Sequence, residues 1–314
     1  MIISMEKIRV FLWRLLKGNM IHFQYMKTRN IRSSFINIMD SNKTVDYIIS
    51  NNCSVARFGD GEFQMISHGI DGGNEQDFPV DSFQPFNKEL SSRLRDVLTC
   101  DCTNLLVCIP YAMIKSDVYK GYNRVFFERE WLGREIFMTG VLKKKAIFGD
   151  SLFSRFYLNR TDIKNVSGYI DNLKRIWHGK DIVIVEGNLS RLGIGNDLFD
   201  NVKSIRRILC PAKNAYGSYN GILRYIQDTF KDESPLFLLA LGHTATVLAY
   251  DLAQQGFRAI DIGHIDIEYE WFKMGAKEKV AVRDKYVNEV KEGREVSRSF
   301  QDPDYLSQIM AKID

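Results

Sequence analysis

Short, almost uninterrupted apolar runs alternate with helical patterns along most of this chain. The clearest runs read LLVCI at 105–109, IVIV at 182–185 and LFLLAL at 236–241. Strands that are apolar at successive positions are buried on both faces, which is typical of parallel sheets. Apolar residues at helical spacing between these runs predict the covering helices. The alternation therefore predicts an α/β fold with a mostly parallel sheet and helices on both faces.

Seven predicted strands and four predicted helices organise the chain. The strands span residues 55–58, 105–109, 146–148, 182–185, 204–209, 236–241 and 259–262. The helices span residues 86–99, 162–177, 218–230 and 244–255. Since no repeat or Pro/Gly-rich linker interrupts the pattern, we expect one domain over residues 36–275. We interpret residues 69–85 and 111–130 as loops, and the highly charged residues 276–314 as one solvated helix followed by a loose end.

The bulk composition narrows the class of protein. The chain has 314 residues, of which 45% are apolar and 26% are charged, as in ordinary soluble domains. A net charge of +4 is too small to argue for a nucleic-acid partner. The five cysteines are odd in number and follow no zinc-site spacing, which favours reduced thiols in a cytosolic protein. The sequence shows no secretory signal and no apolar run of about 18 residues.

Residues 1–35 form a basic amphipathic pattern, with seven Lys and Arg residues against the single acid Glu6. The apolar residues at helical spacing are Ile8, Phe11, Leu12, Leu15 and Leu16, with Trp13 beside them. A helix of this kind can lie on the anionic inner face of a membrane. It can also dock on the chain's own core or on a second copy of the chain. Peripheral membrane contact and a homo-oligomer therefore both stay open.

The segment SVARFGDGEF (54–63) places two carboxylates directly after the first predicted strand. Asp60 and Glu62 are separated only by Gly61 and form a compact, oxygen-rich corner. A hard divalent cation such as Mn²⁺ or Mg²⁺ prefers such ligands and takes the others from substrate phosphates. We expect Gly59 and Gly61 to let the backbone turn sharply here. An isolated D-x-E pair is more often a solvated turn, but the polar segments at other strand ends favour a site.

Polar and glycine-rich segments follow the other predicted strands as well. Ligands of open parallel sheets bind beyond the carboxyl ends of the strands, so these segments should meet in one crevice. Gly242-His243-Thr244 opens a predicted helix, whose free N–H groups and dipole favour a phosphate. Arg191 and Lys213 add charge that suits a diphosphate, although a lone basic residue is more often a surface cation.

Several familiar enzyme motifs are missing from the sequence. No G-x-x-x-x-G-K-[ST] segment occurs, and GIG at 193–195 lacks the third glycine of a dinucleotide fingerprint. No G-x-S-x-G elbow surrounds a serine. His264 and Asp266 could act as an acid–base pair if the last predicted strand continued through them. A histidine that only satisfies a buried hydrogen bond is an equally good interpretation.

Four long segments, in order along the chain, resemble the GT-D type glycosyltransferases. They read RFGDGEF (57–63), VEGNLSRLGIGNDLF (185–199), CPAKNAYG (210–217) and LGHTATVLAYDLAQQGFRAIDIGHIDIEYEWF (241–272). The resemblance covers roughly residues 40–275. That family is found in bacterial glycan and adhesin-glycosylation loci.

The resemblance implies a Rossmann-like fold that binds a nucleotide-diphosphate sugar, typically UDP-glucose. It also implies a D-x-E element that engages Mn²⁺ or Mg²⁺ near the diphosphate, and Asp60 and Glu62 match that element. We expect nucleotide-sugar contacts from the matching strand-end residues Arg57, Gly59, Arg191, Asn196, Lys213, Asn214, Gly242, His243, Thr244 and His264. If the anomeric centre inverts, a base must deprotonate the acceptor hydroxyl. The candidates for that base are Glu186, Asp266 and Glu268.

The leading hypothesis is a cytosolic, metal-assisted glycosyltransferase that moves a hexose from a UDP-sugar to a surface-glycan, lipid-linked or glycoprotein acceptor. The first alternative is a non-catalytic nucleotide-sugar-binding subunit of a glycan-synthesis complex, although a pure binder need not keep the carboxylates Asp60, Glu62 and Asp266. The second is another Rossmann-type nucleotide-sugar enzyme, which the missing G-x-G-x-x-G disfavours. The residues do not decide the donor sugar, the acceptor, the linkage or the stereochemistry.

Overall fold

Eight parallel strands form one sheet in a computed structural model that describes residues 5–35, 37–79, 83–142, 147–297 and 299–314, with side chains from residue 16 onward. The strands are β1 (Ser54–Arg57), β2 (Leu105–Ile109), β3 (Gly149–Asp150), β4 (Asp181–Gly187), β5 (Ser204–Cys210), β6 (Leu236–Ala240), β7 (Arg258–Asp261) and β8 (Ile309–Lys312). Their order across the sheet is β3-β2-β1-β7-β6-β4-β5-β8.

Twelve α-helices accompany the sheet in the described residues. They are α1 (Met5–Lys27), α2 (Arg29–Ser33), α3 (Ser41–Asn51), α4 (Asp60–Ile70), α5 (Lys88–Thr99), α6 (Tyr111–Ile114), α7 (Gly121–Leu142), α8 (Val166–Lys174), α9 (Tyr219–Thr229), α10 (His243–Gln254), α11 (Ile265–Lys273) and α12 (Pro303–Gln308). Several begin at side-chain caps, because Asp40, Asn87 and Asn165 each accept a backbone N–H from the first turn of α3, α5 and α8.

The sheet separates two apolar cores, one on each face. Alternate residues of β4 enter opposite cores, Val183 and Val185 on one side and Ile182 and Ile184 on the other. Helices α4, α5, α7, α9 and α10 cover the first core, and α3, α8 and α11 cover the second. The predicted fold, a parallel sheet with helices on both faces, is confirmed. The five cysteines are free thiols.

Six of the seven predicted strands overlap an observed strand, and the seventh lies slightly later than predicted. Residue 146 lies outside the described residues, and Phe148 makes only an isolated parallel bridge to Ile38. The strand β3 follows at Gly149–Asp150, a pair that reads as a turn in the sequence. A Cβ at Gly149 would lie 2.5 Å from Cys108 Sγ, so glycine is what allows β3 to approach β2.

The interpretation of residues 111–130 as a loop is wrong, because they contain α6 and the start of the long helix α7. Glycines at 133 and 140 and mixed polarity hide α7 in the sequence. Its buried residues include Trp131 and Met138. Tertiary packing therefore supplies the stability that the local pattern lacks.

The prediction of a solvated C-terminal helix is also wrong. Residues 276–297 and 299–302 are mostly irregular, with one short 3₁₀ turn at Lys291–Arg294, and they precede α12 and β8. Strand β8 pairs in parallel with β5 and extends the sheet. Val282 and Val287 pack with Trp271 in a small core of their own. The charged residues of this segment are therefore interspersed with apolar anchors that a reading of charge alone overlooks.

The predicted N-terminal helix is confirmed as α1, which packs on α7. His22 Nδ1 lies 2.8 Å from Glu128 Oε1, and a Cβ at Gly18 would contact Val125. The predicted apolar stripe up to Leu15 lies outside the described side chains. Within the described residues, no helix is both long enough and apolar enough to cross a bilayer.

Candidate active site

A cleft of about 490 Å³ opens at the carboxyl ends of the central strands. Strands β2 and β3 lie on one side of β1, and β7, β6, β4, β5 and β8 lie on the other. The cleft therefore lies where the strand order reverses, the usual ligand position in an open α/β sheet. Its lining residues are Phe78, Phe83 and parts of the segments 57–64, 151–155, 190–192, 240–243, 261–267 and 286–289, and Arg191 is not among them.

The two carboxylates of the D-x-E element lie in the first turn of α4, beside the cleft. Asp60 is exposed and makes no hydrogen bond with the described residues. Glu62 Oε2 accepts the backbone N–H of Gly59 at 2.7 Å, which caps the helix, while Oε1 lies 3.8 Å from His243 Nδ1. Gly59 joins β1 to α4 in an extended conformation with a φ of −119°, so this turn does not require a glycine for its backbone conformation. One free carboxylate and one oxygen of a second thus face the ligand space.

His243 begins α10 and lies directly over Gly61. A Cβ on Gly61 would lie 2.9 Å from His243 Nε2, so the glycine provides room for the imidazole rather than a turn. Both ring nitrogens are buried and have no hydrogen-bond partner in the described structure. Gly242 has a φ of +55°, which favours glycine, and a Cβ there would meet the Phe83 ring. Buried polar atoms without partners at a helix N-terminus are what an anionic ligand would satisfy.

The Arg57 guanidinium is held in place beneath the cleft by neighbouring oxygens. Its Nη2 donates to Asp261 Oδ1 at 2.8 Å, and its Nη1 donates to Ser154 Oγ at 2.9 Å and to the Ser151 carbonyl at 3.0 Å. Burial raises the pKa of Asp261, and the charge of Arg57 opposes that rise. Most of the Arg57 donors are therefore used within the protein, and its charge is paired.

Arg155 organises the opposite wall of the cleft. It donates to both oxygens of Glu289, to Oε1 at 3.0 Å and to Oε2 at 3.1 Å, and it donates to His264 Nδ1. Burial and the charge of Arg155 lower the pKa of His264 to about 3. Although burial alone would raise it, the charges of Arg155 and Lys279 lower the pKa of Glu289 to about 2. His264 is therefore neutral, and because Nδ1 is an acceptor its proton resides on Nε2.

The structure does not support His264 and Asp266 as an acid–base pair. Strand β7 ends at Asp261, so His264 caps α11 and Asp266 lies within that helix. Asp266 borders the cleft, but Oδ2 accepts from Lys285 at 2.7 Å and Oδ1 accepts from Gly193 and Asn196. The Asp266 carboxylate is therefore fully engaged.

The other two base candidates lie outside the cleft lining. Glu186 is fully buried, where Oε1 pairs with Arg207 Nη1 at 2.6 Å and Oε2 accepts the Leu192 N–H. Glu268 Oε2 accepts the N–H groups of Tyr157 and Leu158. Burial raises the pKa of both carboxyls. Both carboxylates hold neighbouring backbone segments in place, so we do not include Glu186 and Glu268 in the proposed catalytic site.

Several predicted nucleotide-sugar contacts also lie outside the cleft lining. Arg191 is buried and donates to the carbonyls of Asp284 and Ser297, so it binds the C-terminal segment. Asn196 Nδ2 donates to the carboxylates of Asp266 and Glu270. The side-chain donors of Arg191 and Asn196, which we expected to contact the nucleotide sugar, therefore bond within the protein instead.

The last three predicted contacts differ in their surroundings. Lys213 is exposed and lines neither this cleft nor its neighbour. Asn214 accepts from Gln84 Nε2 at 2.7 Å, and Thr244 is buried with an unpartnered hydroxyl behind His243 in α10. The predicted residues that do meet in the cleft are Arg57, Gly59, Asp60, Glu62, Gly242, His243, His264 and Asp266.

Comparison with known proteins decides the family. The model of the glycosyltransferase GT-D fold matches residues 55–290. The chain belongs to the GT-D glycosyltransferase family. A probable glycosyl transferase, Gly, from Streptococcus gordonii is 36% identical over 285 residues, and the glycosyltransferase GlyD from Streptococcus pneumoniae is 35% identical over 280 residues. Each alignment covers 88% of this chain, but only 39% and 33% of the respective relative.

Solved structures share the same fold as this GT-D chain. A domain of unknown function 1792, described as having a distinct glycosyltransferase fold, is 37% identical, with a TM-score of 0.79 over 93% of this chain and 99% of its own. A new glycosyltransferase from Streptococcus sanguinis is 36% identical, with a TM-score of 0.78 over 89% of this chain and 100% of its own. The predicted family and the predicted fold are therefore confirmed.

Some residues of the GT-D cleft are missing from the sequence prediction. Asp261 ends β7, so the rule that ligands lie beyond strand ends could have identified it. Arg155 follows the short strand β3, which the sequence pattern misplaces. Tyr286, Asn288 and Glu289 come from the segment interpreted as a solvated helix, and no local signal brings them to the cleft.

The charges of the cleft suit a cation between protein and ligand. Asp60 and Glu62 are not paired with Lys or Arg, whereas Arg57 and Arg155 are paired with acids, as far as the described residues show. An anionic diphosphate therefore finds carboxylates without compensating charge. No group of three His, Cys, Asp or Glu side chains arranged to hold a metal occurs in the described part of the chain. Two carboxylates do fit a hard cation that takes its other ligands from phosphates and water.

Proposed function

We propose that this GT-D chain transfers a hexose from a UDP-sugar to a glycan, lipid-linked or glycoprotein acceptor with the help of a divalent cation. The observation that carries the proposal is the uncompensated carboxylate pair Asp60 and Glu62 facing a cleft whose arginines are already paired. The resemblance to UDP-glucose-dependent enzymes favours glucose as the hexose and Mn²⁺ or Mg²⁺ as the cation.

The cation would be held by Asp60 and by Oε1 of Glu62, and it would neutralise the charge of the leaving diphosphate. His243 and the N-terminus of α10 lie beside these carboxylates and would donate to phosphate oxygens. His264 would donate from Nε2 to the donor sugar or the diphosphate, because Arg155 occupies its other nitrogen. The three carboxylates considered as bases are engaged or outside the cleft, so the proposal assigns no enzymatic base.

Asp60→Asn tests the proposal directly. The substitution removes one charge from the cation site but keeps the shape of an exposed side chain, so the fold should persist. We expect at least an approximately 100-fold loss of Mn²⁺-dependent UDP-glucose hydrolysis, since even outer-shell partners of metal ligands cost about 10–100-fold when removed. Gln64→Ala, also at the cleft, serves as the matched control.

Calorimetric titration of UDP with and without Mn²⁺ separates the alternatives. We expect Mn²⁺ to strengthen UDP binding to the wild type but not to Asp60→Asn. Equal binding and turnover in the two proteins would remove the cation from the proposal. UDP binding without hydrolysis or transfer would favour a non-catalytic subunit. A thermal shift with NAD or S-adenosylmethionine instead of UDP would favour another Rossmann-type enzyme.

We further propose that α1 brings the chain to an anionic membrane surface. Leu16, Met20 and Phe23 are 65%, 64% and 63% exposed and lie on one side of the helix, opposite the residues that pack on α7. Lys27 lies over the Phe23 ring at the end of this exposed stripe. Such a helix suits a membrane surface, because its basic residues can contact anionic headgroups while its apolar residues enter the acyl chains beneath them.

A further inference from the structure

A second groove of about 400 Å³ opens beside the cleft at the same edge of the sheet. Its lining residues are Glu75, the residues 84–87, Glu89, Asn214, Tyr216, Gly217, Tyr219 and Asn220. The segment 214–220 follows β5, whereas Gly242 of the cleft follows the nearby strand β6. We call this cavity the Asn214 groove. Its lining includes Asn214, Tyr216 and Gly217 from the end of the motif CPAKNAYG, and no residue of that motif lines the cleft.

A thin partition separates the groove from the cleft. Phe83 lines the cleft, where a Cβ on Gly242 would lie 2.8 Å from its ring. The next residue, Gln84, faces the groove and bonds Asn214 Oδ1 at 2.7 Å and the Tyr216 N–H at 3.3 Å. The Phe83 carbonyl also accepts the Asn214 N–H. A molecule in the groove would therefore lie one residue away from a molecule in the cleft.

The groove differs from the cleft in its chemistry. Its charged lining residues are acidic, Glu75 and Glu89, and none of its described lining residues is Lys or Arg. The Arg93 guanidinium lies over the ring of the lining residue Tyr219, but it is paired with Asp251, so a nucleotide or phosphate would find no unpaired cation among the described lining residues. Planar amides come from Asn87, Asn214 and Asn220, and amide nitrogens and carboxylates can donate to and accept from neutral hydroxyl groups.

Aromatic rings complete the groove beside these polar groups. Phe86, Tyr216 and Tyr219 contribute to its lining, with 5.3 Å between the ring centroids of the two tyrosines. A few fixed polar groups around an apolar surface, in a cavity of several hundred Å³, are typical of small-molecule sites. The combination suits a neutral ring that carries hydroxyl groups on its edges and C–H bonds on its faces.

We infer that the Asn214 groove binds sugar rings of the acceptor, next to the donor cleft. The inference rests on the proposed glycosyltransferase function and adds to it the place at which the acceptor's sugar rings are held. The acceptor's terminal hydroxyl would pass the partition at Phe83 toward the donor sugar, while the preceding ring occupies the groove.

Asn220→Trp tests the groove, because an indole at this exposed position on α9 would fill it. Arg224→Trp, one turn further along α9 and outside the groove lining, is the matched control. Saturation-transfer NMR with cellobiose and N,N′-diacetylchitobiose measures binding. We expect signals from at least one disaccharide with the wild type and Arg224→Trp, and none with Asn220→Trp. The milder double variant Glu89→Gln/Asn220→Ala should bind that disaccharide about tenfold more weakly, because hydrogen bonds are lost.

Mn²⁺-dependent UDP-glucose hydrolysis, measured on the same proteins, distinguishes this inference from the proposed function. We expect hydrolysis to be unchanged in all three variants, since none of the altered residues lines the cleft. Disaccharide signals that persist in Asn220→Trp, or that are absent from the wild type, would overturn the groove assignment while hydrolysis continues. Absence of hydrolysis from the wild type would instead count against the proposed function.

Discussion

At the residue scale, the cleft depends on which groups are already paired. Arg57 and Arg155 are fixed by acids, and Asp266 is fixed by Lys285. Asp60 has no such partner in the described structure, and the ring nitrogens of His243 make no hydrogen bond, although Glu62 lies 3.8 Å away. The groups available to a ligand are therefore fewer than the polar residues that line the cleft, and they concentrate where α4 meets α10.

His264 should make stability depend on pH. Its pKa is lowered to about 3 in the folded chain, from an ordinary value near 6.5. The unfolded chain therefore takes up a proton below about pH 6.5, which the folded chain accepts only near pH 3. The stability associated with neutral His264 is fully present above pH 6.5 and falls as the pH drops from 6.5 toward 3. As the pH is lowered below 6.5, we expect the free energy of unfolding to fall less in His264→Gln than in the wild type.

Urea denaturation at pH 7.5 and pH 5 measures that difference. His178→Gln provides a control for a histidine outside the cleft. If His264→Gln and the wild type lost the same free energy of unfolding between the two pH values, the neutral state assigned to His264 would be wrong.

At the element scale, α1 has two faces with different surroundings. One face packs on α7 through Gly18, His22 and Tyr25, and the opposite face exposes Leu16, Met20 and Phe23. The helix therefore keeps an apolar stripe that the described chain does not cover.

The triple substitution Leu16→Gln/Met20→Gln/Phe23→Gln should abolish binding to anionic vesicles without unfolding the chain. The reason is that the stripe makes the apolar part of the contact, worth about 1.5–3 kcal/mol for each fully buried side chain. Cosedimentation with phosphatidylglycerol vesicles measures binding. Ile136→Gln, which alters an apolar residue of α7 that is 92% exposed, is the control. Unchanged sedimentation of the triple variant would assign the stripe to another partner.

At the scale of the whole molecule, the C-terminal segment completes both the cleft and the sheet. Tyr286, Asn288 and Glu289 form part of the cleft lining, and β8 covers the edge of β5. Arg191 holds this segment from beneath by donating to the carbonyls of Asp284 and Ser297. The C-terminal segment therefore forms part of the cleft and is held there by a residue outside the cleft lining.

Arg191→Met should loosen this segment and weaken donor binding together. Two part-buried, charge-assisted hydrogen bonds to backbone carbonyls are lost, so we expect the free energy of unfolding to fall by about 2 kcal/mol. Hydrogen exchange should speed up in residues 284–297, and the KM for UDP-glucose should rise. Arg283→Met, at an exposed arginine nearby, should change neither. Faster exchange with an unchanged KM would show that the segment does not shape the donor site.

The order of strands and helices could be predicted from the sequence. The apolar patterns of buried strands and amphipathic helices extend over a few neighbouring residues, so one sequence is enough to show them. LLVCI and IVIV predict β2 and β4 for this reason, and RFGDGEF marks one corner of the cleft. Local patterns failed where long-range packing stabilises an element, as in α7 and β8. They failed also at β3, where close contact with Cys108 selects a glycine that otherwise reads as a turn.

The roles of the polar residues depended instead on contacts between distant segments. Glu186 and Arg207 pair across neighbouring strands, and Arg191 reaches carbonyls about a hundred residues later in the chain. A charged residue beyond a strand end looks the same in a sequence whether it meets a ligand or a partner within the protein. Only the three-dimensional arrangement separates the two cases, because a buried charge must find its compensation wherever the fold supplies it.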